Sequence, residues 1–81
     1  MAFVRGRCPV RDQVTLELVV GEGEVRADIV PPSTLPASIF LRQVPLREAV
    51  VIAAELSRDA GCDVVVVDRY GYWPADEPLP R

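Results

Sequence analysis

The chain contains no histidine and no lysine. Without histidine it lacks the commonest general base at neutral pH and the commonest zinc ligand. All basic charge is arginine, nine residues against twelve Asp and Glu, so the net charge of -3 offers no broad attraction to DNA, RNA or an anionic membrane. No run approaches the roughly 18 apolar residues of a membrane span. The opening MAFVRGRCPV also lacks the apolar core of a secretory signal. Cysteine is limited to Cys8 and Cys62, which could pair. We expect a cytoplasmic protein with reduced thiols. Arginine-only basicity with abundant Val and Ala points to a GC-rich, bacterial source.

What is present is apolar. Hydrophobic residues make up 49% of the 81 residues, enough to build a core. A chain this short is one small domain that buries only about 60–65% of its unfolded surface, so its stability margin is thin. The eight prolines cluster at Pro31-Pro32, Pro36 and Pro74 to Pro80, marking connections and a tail. We therefore expect a single domain over residues 1–73, with 1–12 an arginine-bearing arm and 74–81 a proline-rich tail.

Period-2 alternation sets in at Val14, with Leu16, Leu18 and Val20 on one side and Thr15, Glu17 and Val19 on the other, as in a strand. The GEGE of residues 21–24 suits a hairpin turn. Val25, Ala27 and Ile29 then alternate with Arg26, Asp28 and Val30 until Pro31-Pro32 ends the second strand. Residues 37–44 read as a third, shorter strand. From Leu46 to Ala60 the spacing turns helical, with Leu46, Ala49, Ala53, Leu56 and Ala60 in one stripe, Pro45 at the entry and Gly61 as a left-handed cap. Val64 to Val67 is a buried strand, and Asp68 to Gly71 a turn. Tyr72 and Trp73 begin a short edge strand. The expected fold is α+β in two layers: one amphipathic helix on a three- to four-stranded, mainly antiparallel sheet, in the order ββ(β)αβ(β).

The possible catalytic groups do not assemble. Asp63 and Asp68 lie about 16 Å apart along a strand rising ~3.3 Å per residue, too far to share a metal or a proton. Asp59 and Asp63 have no third ligand in view. GEGE is acidic, lacks Lys and joins strands, unlike a phosphate cradle at a helix N-terminus. Cys62 has no base and lies at the negative end of a helix, where a thiolate is disfavoured. Ser33, Thr34, Ser38 and Ser57 have no base either. We expect no enzyme activity, no cofactor and no metal.

A single helix covers one face of a sheet. The other face would then show Val19, Val30, Phe40, Val65 and Val67, with Trp73 in reach, rimmed by Thr15, Glu17, Arg26, Asp28, Ser38 and Arg42. A rimmed apolar patch marks an interface. Two covers compete: a second copy of the chain, or the chain's own N-terminal arm or aromatic tail folded back. The expected function is a small protein-interaction or adaptor module, homodimeric through that face or bound to another protein. The alternative is a nucleic-acid-associated regulatory domain using Arg26, Arg42, Arg69 and Tyr70, since arginines interleaved with aromatics can bind single strands.

Overall fold

The computed structural model describes residues 2–74 and 76–80, with Ala37 described by its backbone alone. Five strands and one helix follow in the order β1 (Phe3–Gly6), β2 (Val14–Gly21), β3 (Glu24–Val30), a 3-10 turn (Ala37–Ile39), β4 (Leu41–Pro45), α1 (Leu46–Ala60) and β5 (Val64–Val67). They form one sheet in the order β1-β5-β2-β3-β4. β5 pairs in parallel with both β1 and β2, while β3 pairs antiparallel with β2 and β4. The class is α+β, but the sheet is mixed and five-stranded rather than mainly antiparallel with three or four strands.

The local elements follow from local chemistry. The β2–β3 loop is two residues, Glu22 and Gly23, both at positive φ (55° and 78°), which is the primed turn that matches strand twist. α1 starts at Leu46, directly after the last residue of β4, with Pro45 as its N-cap. Glu48 in the first turn and Arg58 in the last oppose the helix dipole favourably. Gly61 ends it at φ 68°, with the Cys62 N–H donating to the Ser57 carbonyl at 3.0 Å. The buried Ser57 hydroxyl is satisfied in turn by the Cys62 carbonyl.

Three of the expectations change. Phe3–Gly6, read as part of an arm, is the strand β1 at the sheet's edge. The expected third strand begins later: residues 37–39 turn once as 3-10 helix and the strand occupies Leu41–Pro45. It pairs irregularly, with a bulge between its matches to Ala27 and Ile29 and with Gln43 at φ 51°. Tyr72 and Trp73 form no strand. Both Asp68 carboxylate oxygens accept backbone N–H groups there, from Tyr72 at 2.7 Å and Trp73 at 2.8 Å, which turns the chain so that Trp73 joins the helix-side core.

The core lies between α1 and the sheet. Val14, Leu16, Leu18, Ala27, Ile29, Val64 and Val66 meet Ala49 and Ala53 there, joined by Phe3 and Trp73. Alanine along the helix seam lets α1 lie close over β2 and β3. The Trp73 ring N–H donates to the Glu77 carbonyl at 2.9 Å, and Leu79 packs against the same cluster. At least this much of the proline-rich tail is therefore part of the packed structure.

The second face of the sheet has its own lid. β1 and β2 run parallel with β5 between them, so residues 7–13 must cross β5. The α1 crossover moves from β4 to β5, in the opposite sense along the sheet. Parallel crossovers share one hand, so two of opposite sense take opposite faces. The Val10 N–H accordingly bonds Thr15 Oγ1 at 3.3 Å, on the side away from the helix. On that side Val67 is 0% exposed and Val65 5%. Gly6 permits the close approach: a Cβ there would collide with Val65 Cγ1.

Candidate functional site

Lids on both faces divide the outer face in two. Toward β1, Val65, Val67 and Thr15 are shut in. Toward β3 and β4 the face stays open, and it carries Val19, Arg26, Asp28 and Val30, followed by Phe40, Arg42 and Gln43 along the edge strand and its approach. The residues after β3 extend this surface. Val30, Pro31, Pro32, Ser33 and Leu35 line a shallow groove of about 360 Å³ that Phe40 closes on one side. Phe40 is 37% exposed, and the Arg42 guanidinium lies 5.4 Å from its ring centroid. At that separation a cation–π contact holds both side chains in place while leaving them accessible.

Three residues after Phe40, β4 holds a left-handed non-glycine residue. Gln43 keeps its positive φ because its N–H donates to Asp28 Oδ1 at 2.9 Å and its carbonyl accepts from Arg26 Nη1 at 2.8 Å. Asp28 and Arg26 project from β3 beneath it. The strand spacing shows that these two residues face outward, but not that they would hold a bulge. Gln43, Pro31 and Leu35 were therefore absent from the sequence-derived site. The only signal for them is Pro31-Pro32, which must turn the chain away from the sheet just where the groove forms.

Of the six expected interface residues, Val19, Val30 and Phe40 remain on the open half. Val65 and Val67 do not, since the crossover of residues 7–13 occupies their face. Trp73 is 8% exposed and belongs to the helix-side core, on the opposite side of the sheet. The four candidates for nucleic-acid contact separate as well. Arg26 is bound to Glu24 at 2.6 Å and Glu22 at 3.1 Å, and Arg69 to Glu17 at 3.5 Å. Arg42 stands over Phe40. Tyr70 is 74% exposed and tilts against Tyr72, with ring centroids 5.5 Å apart.

Asp63 and Asp68 serve the backbone. Asp63 accepts the Ala2 N–H at 2.9 Å, and its own N–H donates to Gln13 Oε1 at 2.6 Å. Asp68 organises the turn after β5. Among the described residues, no three His, Cys, Asp or Glu side chains converge as metal ligands would. Cys8 and Cys62 are free thiols. No helix of the described residues is long and apolar enough to cross a membrane. Comparison with protein-family models, with curated proteins and with solved structures returned no match, so the functional reading rests on the geometry of this surface.

Proposed function

We propose that the chain is a small, non-catalytic protein-interaction module whose partner on the open half of the sheet is a second copy of itself, with Phe40 at the centre of the contact. The observation that carries this is the juxtaposition of a groove and a knob in one patch: Phe40 stands beside the groove formed by Val30, Pro31 and Leu35. A twofold contact is isologous, so it needs a surface complementary to itself. Here each Phe40 would enter the other copy's groove. Burial of Phe40 and Val30 from each copy is worth about 1.5–3 kcal/mol per side chain before the cost of association.

Light scattering tests this directly. The wild-type chain is expected at dimer mass and the Phe40→Glu variant at monomer mass, with its fold intact by circular dichroism. A wild-type monomer whose mass and stability ignore Phe40→Glu would refute the proposal. The nucleic-acid alternative has narrower support, in the exposed Tyr70, which leans on the half-buried Tyr72, and in Arg42, because Glu17, Glu22 and Glu24 already engage Arg69 and Arg26. A salt-sensitive shift of a labelled single-stranded oligonucleotide would favour it.

A further inference from the structure

The two edges of the sheet are not equivalent. At β4 the edge is interrupted: Gln43 is bulged, its N–H and carbonyl are claimed by β3 side chains, and Pro45 has no N–H to offer. Bulges and prolines are the devices by which edge strands avoid pairing with other chains. β1 has none of them. In its parallel ladder the Val64 N–H donates to the Ala2 carbonyl at 2.9 Å. The alternation of such a ladder then turns Ala2, Val4 and Gly6 toward β5, and Phe3 and Arg5 outward. The N–H and carbonyl of Phe3 and of Arg5 therefore face away from the sheet. Among the described residues the helix packs chiefly over β2 and β3, and the tail gathers around Trp73, Leu46 and Val50 rather than along β1.

Side chains along β1 indicate what would pair there. Val4 is exposed on the outer face, Arg5 is exposed on the alternate face of the strand, and Arg7 is exposed just beyond its end. Among the described residues neither arginine enters an ion pair, whereas Arg26 and Arg69 do. A second copy adding β1 to β1 would crowd four guanidinium groups onto one short seam, and like charges across strands are destabilising. We propose that the β1 edge binds an extended acidic segment of a partner protein by strand addition, with an apolar side chain beside Val4 alternating with a carboxylate beside Arg5. Main-chain hydrogen bonds to Phe3 and Arg5 would supply affinity and the charge pairing would supply selectivity. This surface is separate from the Phe40 groove, so either can fail alone.

The probe is a fluorescein-labelled peptide alternating valine and glutamate, about eight residues long to match a strand. Saturable binding by anisotropy is expected. It should weaken about tenfold or more in the Arg5→Glu/Arg7→Glu variant and in Arg5→Pro, which removes an outward N–H that β5 does not use. Phe40→Glu should leave it unchanged. Should Arg5→Pro fail to fold, the charge-reversed variant decides alone. The proposal is overturned by absence of saturable binding, by equal binding of a valine–lysine peptide, or by binding that ignores the charge reversal. Binding of a labelled oligonucleotide in place of the peptide would overturn it too, as would a dimer abolished by Arg5→Pro.

Discussion

Trp73→Ala is expected to lose about 3–5 kcal/mol of unfolding free energy, the range for deleting a large buried aromatic. A chain of 81 residues has about 4–12 kcal/mol in total at ~0.05–0.15 kcal/mol per residue, so the variant should be largely unfolded or close to it. The effect is large because Trp73 does two things. Its ring is part of the helix-side core, near Leu46 and Val50, and its N–H holds the Glu77 carbonyl, which fixes the tail against the same core. Trp73→Phe separates the two. It keeps most of the ring packing and loses the hydrogen bond, for about 1 kcal/mol plus a modest packing loss. Urea titrations followed by circular dichroism give both values, since the variants lack the chain's single tryptophan. A cost below about 1 kcal/mol for Trp73→Ala would mean that the residue projects outward, as first expected from the sequence.

The second large effect separates the two halves of the outer face. Val67→Asp is expected to cost at least about 3–5 kcal/mol, because the crossover shuts a carboxylate there away from water, beside Glu17 of the neighbouring strand. Val19→Asp, on the same face but beyond the crossover and across from Arg26, should stay within about 1 kcal/mol. Both belong in the Phe40→Glu background, where self-association does not enter the measured stability. On an uncovered face the two substitutions would cost about the same.

The parts of the fold legible in the sequence are those specified by neighbouring residues. The α1 bounds follow from a 3.6-residue stripe ending at Gly61. The β2–β3 hairpin follows from period-2 alternation around Gly21 to Glu24, and β5 from four β-branched residues after a helix cap. β1 escaped notice because nothing local marks Phe3–Gly6 as a strand. Its partner is 61 positions away at Val64, and only the parallel pairing with β5 fixes it. The arm folded back was one of the two covers the sequence offered, but nothing local could choose it, since residues 7–13 cover the outer face only because β1 and β2 flank β5. Trp73 was misplaced because its direction depends on two bonds from the Asp68 carboxylate. At the site, alternation put Val19, Val30 and Phe40 on the outer face, but Val65 and Val67 shared that parity and lie under the lid. Parity assigns a face of the sheet and is silent on what crosses it.

Thiol labelling measures that division most directly. In a Cys8→Ser/Cys62→Ala/Phe40→Glu background, single cysteines at Val67 and Val19 report access to each half of the outer face. Val19→Cys is expected to react within about tenfold of an unstructured thiol, and Val67→Cys only as fast as global unfolding allows, orders of magnitude more slowly. Comparable rates at the two positions, whether both fast or both slow, would contradict a sheet whose outer face is closed over β5 and open over β3 and β4.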